Sequence, residues 1–262
     1  MKTILITGGT GLIGQKLIAD LLNKNYTIHI LSQQKNKSSS NTAITYFYWN
    51  VLQKEINIHA FKNVDFIIHL AGENIGKKYW TKKQIQLIQN SRVFSTQLLI
   101  NTIKKHDFSI KKIVCTTAIG WYGADNFNSL QVGFNESNPA ATDILGNICF
   151  NWENEIHNFK TLKIPLVIGR LGLVISKDGG ILPLFLKALK FNIQLIIGNG
   201  NQWFSWVEID DVVKFISVSL ENQSMEGIYN VVNPDVLTQK KWVNNIALKY
   251  HKLHTLKLYI PA

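Results

Sequence analysis

The chain has 262 residues, of which 46% are hydrophobic and 17% are charged, and this composition excludes an intrinsically disordered protein. At this length, one domain with a smaller lobe is a better expectation than two independent domains. The formal net charge is +11, with 28 Lys and Arg against 17 Asp and Glu. Only Arg92 and Arg170 are arginines, and the lysines are scattered, which favours a solvated lysine-rich surface and predicts no nucleic-acid partner.

The cysteines and the apolar runs indicate the compartment. Cys115 lies in a strand-like run and Cys149 in a helix-like run, which is typical of reduced, buried thiols. The apolar N-terminal run lacks the small-residue cleavage pattern of a signal peptide. The longest later apolar stretch, 181–197, is interrupted by Lys187 and Lys190, so it does not predict a membrane span. We therefore expect a cytoplasmic protein with no membrane partner, and no metal site is predicted.

Short apolar runs rich in β-branched residues alternate with segments of helical period, a pattern typical of a parallel sheet covered by helices. The predicted strands span residues 3–7, 27–31, 45–49, 64–71, 112–117, 162–170 and 227–232. The predicted helices include residues 14–23, 81–105 and 182–190. We expect an α/β fold with a Rossmann-type doubly wound parallel sheet and a small C-terminal substrate lobe. Residues 1–170 and the strand near 227–232 would form the nucleotide-binding domain, and residues 171–226 and 233–262 the smaller lobe.

A glycine-rich turn directly follows the first predicted strand and directly precedes an amphipathic helix. In this turn Gly8 can form the tight bend, Gly11 can let the backbone approach a diphosphate, and Gly14 can allow close packing of helix and strand. The N-terminus of the helix offers free N–H groups and the positive end of its dipole to an anion. The sequence therefore predicts a dinucleotide site that includes Gly8, Thr10, Gly11, Leu12, Ile13 and Gly14.

The end of the second predicted strand indicates which dinucleotide to expect. An Asp or Glu at that point would bind the ribose hydroxyls of NAD, but the sequence there is Ser32-Gln33-Gln34-Lys35-Asn36-Lys37. This polar and basic stretch tolerates an additional 2′-phosphate better than a carboxylate would. We expect NADP as the cofactor, with NAD as the alternative. Leu70, Ala71 and Gly72 follow the fourth predicted strand, and these small or apolar residues would let the backbone lie against the cofactor ribose.

Arg92 falls on the inward-facing stripe of the long helix predicted at 81–105, in phase with Ile88 and Leu99. Burying an unpaired guanidinium is very unfavourable, so Arg92 requires an anionic partner. Two partners remain open at this point. One is a structural salt bridge, with Glu73 as a candidate, and the other is a bound anionic cofactor.

These motifs together resemble the atypical or extended short-chain dehydrogenase/reductases, and within them the NAD-dependent epimerase/dehydratase family of nucleoside-diphosphate-sugar epimerase-like proteins. Some members are labelled cell-division inhibitors, a label that no motif of this chain supports. The resemblance spans nearly the whole chain. Its motifs are residues 7–14, 70–75, 91–93, 117–123, 136–139, 152–153, 170–174, 179–180, 198–206 and 210–211.

The resemblance implies a cofactor site that contains the glycine turn together with Ser32, Gln33, Leu70, Ala71, Gly72 and Arg92. The chain departs from the family pattern at two positions. The family usually has Arg at the position of Gln33, which weakens the expected preference for NADP, and it often has His at the position of Glu208. Members also usually continue beyond Ala262 into a C-terminal helical portion, so the small lobe is expected to be shortened.

The class usually depends on a Tyr-x-x-x-Lys pair in the helix after the fifth strand, and this pair is absent here. Alignment on Glu153 places Leu145 and Cys149 at those two positions, and neither side chain can do the same acid–base chemistry. The leading catalytic candidates are Thr117, which would orient the substrate oxygen, and Tyr122, which would transfer a proton. Glu136, Asp143 and Glu208 are alternative carboxylate bases, or else helix-capping, loop or surface residues. Without a nearby lysine, the pKa of Tyr122 is expected to stay high.

The substrate lobe is predicted to close over the cofactor with an aromatic segment, residues 198–206. This segment could stack on a flat or sugar-like ligand, with Trp206 as a structural anchor, or it could be a core-packed hairpin. Arg170 is interpreted either as a substrate anchor or as the partner of Asp210. The candidate substrate contacts are Glu73, Arg170, Gln202 and Trp203.

Two functions remain open from the sequence. The first is an NADP-dependent oxidoreductase or epimerase that acts on a hydroxyl or carbonyl carbon of a small substrate, with a sugar nucleotide as one candidate. The second, favoured by the missing Tyr-x-x-x-Lys pair, is an NADP-binding regulatory or scaffold protein without catalysis. Either a monomer or a homodimer is compatible with the sequence.

Overall fold

A computed structural model describes residues 2–76, 78–126, 129–235, 237–252 and 254–260. Val236, Leu253, Pro261 and Ala262 of the predicted lobe lie outside these ranges. The strands are β1 (Thr3–Thr7), β2 (Thr27–Ser32), β3 (Ile44–Asn50), β4 (Glu55–Ile56), β5 (Val64–His69), β6 (Lys112–Ala118), β7 (Leu166–Leu171), β8 (Leu173–Ser176), β9 (Gly179–Gly180), β10 (Ile193–Ile197), β11 (Trp206–Glu208), β12 (Gly227–Val231) and β13 (Leu256–Ile260). The α-helices are α1 (Leu12–Asn23), α2 (Lys82–His106), α3 (Ser129–Val132), α4 (Ile144–His157), α5 (Leu182–Lys190), α6 (Ile209–Glu221) and α7 (Gln239–Lys249).

The central sheet has the strand order β12-β7-β6-β5-β1-β2-β3-β4 within the described ranges. Its strands pair in parallel except at the edge, where β3 and β4 are antiparallel. All five residues of β1 are buried, as expected for a parallel strand with helices on both faces. The chain therefore has the predicted doubly wound Rossmann-type α/β fold, in which ligands bind at the carboxyl ends of the strands.

The two faces of the sheet carry separate apolar clusters. One cluster joins the sheet to α2 and α4 through residues such as Leu99 and Ile156. The other joins it to α1 and α6 through residues such as Leu17 and Val212. Helix α6 lies within the range predicted for the small lobe, but it packs on the central sheet and contacts α1.

Two predicted strands are longer than the observed ones. The strand predicted at 64–71 ends at His69, because the N–H groups of the next two residues turn towards Thr7. The strand predicted at 162–170 begins at Leu166. A 3-10 turn, Asn158–Leu162, precedes it, and Lys163 follows that turn with a φ of 55°, which is incompatible with extended backbone.

A third apolar cluster lies in the C-terminal half, where Phe185, Phe204 and Trp242 pack together. Strands β10 and β13 pair in parallel beside it. The strand predicted near 227–232 is β12, and it joins the central sheet next to β7. No helix in the described part of the chain is long and apolar enough to cross a membrane.

Candidate functional site

The glycine turn between β1 and α1 has the geometry of an anion cradle. Gly8 has a φ of +71°, and a Cβ at this position would lie 2.7 Å from the carbonyl oxygen of Leu70. A Cβ on Gly14 would lie 2.6 Å from the Cα of Gly9. Gly8 requires glycine for its positive φ, and at both Gly8 and Gly14 a side chain would collide with the neighbouring backbone.

The N-terminus of α1 has no side-chain cap. Gly11 is the N-cap residue, and the first turn contains no acidic residue. Gly11 N donates to Gly8 O over 2.9 Å, whereas the N–H groups of Leu12 and Ile13 have no backbone acceptor within the described ranges. These amides are free to bind an anion at the positive end of the helix dipole.

A buried hydrogen-bond chain holds the cradle in place. The N–H groups of Leu70 and Ala71 donate to Thr7 Oγ1 over 3.2 and 3.1 Å. Thr7 Oγ1 lies 2.7 Å from His69 Nδ1, and His69 Nε2 lies 3.0 Å from Thr96 Oγ1. Thr96 Oγ1 in turn donates to the carbonyl oxygen of Arg92. The chain of bonds thus links β1, β5 and α2.

Arg92 lies at the other side of this cradle. Its Nη1 donates to the main-chain oxygens of Glu73 (3.1 Å) and Ile88 (3.0 Å). Its guanidinium carbon lies 4.8 Å from the centre of the Trp152 ring and 3.0 Å from the Cβ position of Gly72. The suggested salt bridge with the Glu73 carboxylate is wrong, since Arg92 forms no ion pair within the described ranges and contacts the main-chain oxygen of Glu73 instead.

The end of β2 is polar and free of acids. Ser32 is buried and accepts a hydrogen bond from the N–H of Gln34 over 3.1 Å, whereas Gln33 is exposed. Lys35 and Lys37 lie over the rings of Tyr48 and Tyr46 on neighbouring β3, at 5.1 and 4.9 Å. The sequence contains no Asp or Glu between Asp20 and Glu55.

The second feature of the site is a buried ion pair. Arg170, in β7, is 1% exposed, and Glu153, in α4, is 0% exposed. The pair is bidentate, with Nε and Nη2 of Arg170 at 2.9 and 2.8 Å from the two carboxylate oxygens. The suggested pairing of Arg170 with Asp210 is therefore wrong, and Asp210 contacts Lys16 on the surface. The arginine is enclosed because its guanidinium also stacks 3.9 Å from the centre of the Trp121 ring.

Both predicted catalytic residues contact this ion pair. Thr117 is 3% exposed, and its hydroxyl donates to Glu153 Oε1 over 2.8 Å. Tyr122 accepts from Arg170 Nη1 over 2.9 Å and donates to Asn230 Oδ1 over 2.7 Å. Burial raises the pKa of Tyr122, and its hydrogen bond with Arg170 lowers it in part.

Sequence reasoning did not assign a role to Glu153. Glu153 could have been found from its helical phase, as Arg92 was. It falls on the buried stripe of α4 with Cys149, Trp152 and Ile156, and a charged side chain on a buried stripe requires a partner. His69 was likewise not assigned, although a histidine at the end of a buried strand is a similar signal.

Helix α4 presents Leu145 and Cys149 to the turn that contains Tyr122. A Cβ on Gly120 would lie 3.4 Å from Leu145 Cβ and 3.5 Å from Cys149 Sγ. Burial raises the pKa of Cys149 to about 12, so this thiol remains protonated at neutral pH. Asp143 caps α4 by accepting from the N–H of Gly146 over 2.7 Å.

A cavity of about 1050 Å³ opens beside Tyr122 at the carboxyl ends of β6 and β12. Gln202 and Trp203 line it, together with Asn230. Thr117, Glu73 and Arg170 are not among its lining residues. The structure thus brings Tyr122, Gln202 and Trp203 to one cavity.

The aromatic segment contributes residues both to the cavity lining and to the third apolar cluster. Phe204 is 5% exposed and belongs to the third apolar cluster, and Trp206 packs against that cluster. Trp203 is half-buried at the cavity, and its main-chain N–H donates to Asp125 Oδ2 over 3.0 Å. Gln202 Nε2 donates to the carbonyl oxygen of Ile197 over 2.9 Å.

Comparisons with known proteins identify relatives over nearly the whole chain. An epimerase family protein of Staphylococcus saprophyticus is 32% identical over 254 residues, which cover 97% of this chain and 83% of that protein. One from Staphylococcus haemolyticus is 30% identical over 262 residues, covering 100% of this chain and 84% of that protein.

Solved structures show the same fold at lower identity. A human epimerase family protein crystallised with NADPH superposes with a TM-score of 0.82 at 22% identity, covering 98% of this chain and 83% of that one. A UDP-glucuronic acid 4-epimerase from Bacillus cereus, in complex with UDP-glucuronic acid and NAD, gives a TM-score of 0.83 at 20% identity, with coverages of 99% and 86%. The sequence profile of the NAD-dependent epimerase/dehydratase family matches residues 4–232, and the chain belongs to that family.

Proposed function

We propose that the chain binds NADP and acts as an epimerase-like oxidoreductase on a hydroxyl or carbonyl carbon of a small substrate. The observation that carries the proposal is the uncapped N-terminus of α1, whose amides at Leu12 and Ile13 have no backbone acceptor within the described ranges. Gly8 and Gly14 leave no space for a side chain there, so the turn fits a diphosphate that approaches the backbone closely.

Arg92 would supply countercharge to the bound dinucleotide. Its Nη1 is engaged by main-chain oxygens, whereas Nε and Nη2 have no acceptor within the described ranges. A guanidinium with free donors next to the cradle fits a phosphate or ribose oxygen. Leu70, Ala71 and Gly72 would lie along the cofactor on the same side.

The proposed preference for NADP follows from the charges at the end of β2. Gln33, Lys35 and Lys37 follow β2 at the point in the sequence where a carboxylate would bind the ribose of NAD, and the nearest acids in sequence are Asp20 and Glu55. A 2′-phosphate would meet positive charge there and no negative charge. The binding of NAD is the alternative.

When bound, the nicotinamide would supply a hydride donor and acceptor for the substrate carbon. Tyr122 would move the proton of the substrate oxygen, since its phenol lies at the cavity and can exchange Asn230 for a substrate oxygen as its acceptor. Arg170 Nη1, at 2.9 Å from the phenol oxygen, would stabilise the phenolate that forms. Thr117 would act through Glu153 as a positioning residue, because its hydroxyl is directed to that carboxylate.

Binding is tested by titrating the protein with NADPH and NADH and following ligand fluorescence. We expect NADPH to bind at least tenfold more tightly, and tenfold tighter binding of NADH would overturn the preference. Catalysis is tested by following NADPH oxidation with a panel of hydroxyketones and aldehydes. Replacing Tyr122 by Phe should lower the rate by about 10²-fold or more, and an unchanged rate would remove Tyr122 from this role.

A second candidate function is cofactor binding without catalysis. The observation in its favour is that Leu145 and Cys149 occupy the face of α4 that carries the acid–base pair in the wider class. The phenol of Tyr122 also donates its proton to Asn230 Oδ1 over 2.7 Å. Tight NADPH binding, with neither oxidation of NADPH nor epimerisation of any compound in the panel, would favour this candidate.

A further inference from the structure

The cavity beside Tyr122 has an unusual charge for this chain. Its described lining contains two carboxylates, Asp125 and Asp235, and no lysine, arginine or histidine. The chain as a whole has 28 Lys and Arg against 17 Asp and Glu, so the basic residues are excluded from this surface.

The cation that contacts the cavity residue Tyr122 is already neutralised. Arg170 lies behind Tyr122 and is 1% exposed. Two of its nitrogens bind Glu153 and the third binds Tyr122 and the main-chain oxygen of Glu136. It therefore has little capacity to bind a substrate phosphate.

A main-chain donor of the aromatic segment is also occupied by an internal anion. The main-chain N–H of Trp203 donates to Asp125 Oδ2 over 3.0 Å, and both residues line the cavity. In anion sites such N–H groups bind the ligand, whereas here a carboxylate of the protein takes that place. A diphosphate in this cavity would meet two carboxylates without a compensating cation, which is unfavourable.

The other polar side chains of the lining are uncharged amides and hydroxyls. Asn199 Oδ1 accepts from Asn201 N over 2.9 Å, and Asn233 Oδ1 accepts from Asp235 N over 2.8 Å. Because a backbone N–H donates to one side-chain atom of each Asn, that atom must be the amide oxygen. The Nδ2 groups of Asn199 and Asn233 have no acceptor within the described ranges, so they can donate to a ligand. Amide N–H groups of this kind bind hydroxyl, ether and carbonyl oxygens.

Apolar faces and size complete the site. Trp203 and Phe204 line the cavity, and Tyr122 stacks on Phe134 at 5.0 Å between ring centres. The volume of about 1050 Å³ is at the upper end of the range for small-molecule sites, roughly 300–1000 Å³. The space would therefore hold a ligand as large as a sugar nucleotide, and charge is the property that discriminates against it.

We propose that this cavity takes an uncharged, hydroxyl-rich substrate with a flat apolar face, and that it rejects nucleoside diphosphate sugars. This inference rests on the proposed function only in naming the cavity as the substrate site. Phosphate recognition is then confined to the dinucleotide cradle, where the glycine turn and Arg92 lie outside the cavity lining.

The test uses two probes that differ at C6, phenyl β-D-glucoside with a hydroxymethyl group and phenyl β-D-glucuronide with a carboxylate, and adds UDP as a diphosphate. Saturation-transfer NMR titrations are carried out on the full chain with and without NADPH. We expect saturable binding of the glucoside, glucuronide binding at least tenfold weaker, and no binding of UDP at the cavity. Equal or tighter binding of the glucuronide, equal or tighter binding of UDP with NADPH present to occupy the cradle, or no saturable binding of the glucoside would overturn the proposal.

Variants assign the effect to the cavity. Replacing both Asp125 and Asp235 by Asn should reduce the discrimination between the two glycosides to less than threefold. Trp203→Ala should weaken glucoside binding at least fivefold, whereas Phe191→Ala, at an aromatic residue that is 72% exposed and outside the cavity lining, should leave it unchanged. A failure of NADPH to bind would refute the proposed function separately, because the glycoside titrations without NADPH still report on the cavity.

Discussion

Thr7 Oγ1 and His69 Nδ1 lie 2.7 Å apart in a site where both residues are 0% exposed, and the direction of this hydrogen bond is determined by its neighbours. The two lone pairs of Thr7 Oγ1 accept the N–H groups of Leu70 and Ala71, so its single proton must go to His69 Nδ1. His69 is therefore a neutral imidazole with its proton on Nε2, which donates to Thr96. Burial lowers the pKa of His69 to about 4.

This neutral histidine predicts a loss of stability in mild acid. Unfolded histidine has a pKa of about 6.5, so between that pH and about pH 4 the unfolded chain binds a proton that the folded chain does not. The contribution of His69 to the free energy of unfolding is full above pH 6.5 and is lost as the pH falls to 4. The difference of about 2.5 pKa units corresponds to roughly 3 kcal/mol.

Urea denaturation of the wild type and of His69→Gln, at pH 7, 6, 5 and 4.5, measures this contribution. The stability advantage of the wild type should shrink steadily with falling pH, since the variant lacks the titrating group while sharing all other acid-sensitive groups. An advantage that stays constant over this range would show that His69 is not held neutral.

The buried pair of Glu153 and Arg170 leads to a second prediction. Glu153→Gln leaves a guanidinium without its carboxylate in a site of 1% exposure and should lower the free energy of unfolding by about 3–5 kcal/mol. The double variant Glu153→Leu with Arg170→Met should recover part of this loss, because an apolar pair has no unpaired buried charge. Chemical denaturation checks both values, and a double variant less stable than Glu153→Gln would contradict the argument.

A third prediction concerns the close packing at the glycine turn. Gly14→Ala places a Cβ 2.6 Å from the Cα of Gly9, so the helix and the turn must separate. We expect a loss of about 1–3 kcal/mol of stability and at least tenfold weaker NADPH binding. Gly76→Ala is the matched control, because a Cβ there meets its first described neighbour at 3.5 Å. Equal NADPH affinity in both variants would refute the role of the turn.

The sequence was most informative where local pattern determines structure. The strand at Thr3–Thr7 and the helix at Leu182–Lys190 were predicted with their observed bounds, because continuous burial and helical period are properties of neighbouring residues. The partner of Arg170 could not be predicted in this way. It lies 17 residues away in sequence on another element, and only the packing of α4 on the sheet brings Glu153 to it.

The same limit applies to the cavity and to Arg92. The requirement that Arg92 contact acceptors was predictable from its helical phase, but the acceptors are main-chain oxygens, and these carry no signal in a sequence. Asp125 lies 78 residues from Trp203, so the charge of the cavity depends on which loops the fold brings together. Composition alone, with a net charge of +11, would predict the opposite sign.

The final prediction concerns the choice between NADP and NAD. Gln33 is exposed at the end of β2 beside Lys35 and Lys37, and its amide has no charge to offer a 2′-phosphate. Gln33→Arg should tighten NADPH binding by about 1.5–3 kcal/mol, the usual value of a hydrogen bond to a charged group, and leave NADH binding nearly unchanged. Gln33→Glu should do the reverse, since a carboxylate repels the phosphate and can bind the ribose hydroxyls of NADH.

Fluorescence titrations of both coenzymes at about 0.02 M and about 0.3 M salt measure these changes in affinity. Salt screens the added charge, so the gain in NADPH affinity of the arginine variant should be smaller at the higher salt concentration. Gln86→Glu, on the exposed face of α2, controls for the change in net charge, and an equal shift of both coenzymes in all three variants would mean that the end of β2 does not contact the adenosine ribose.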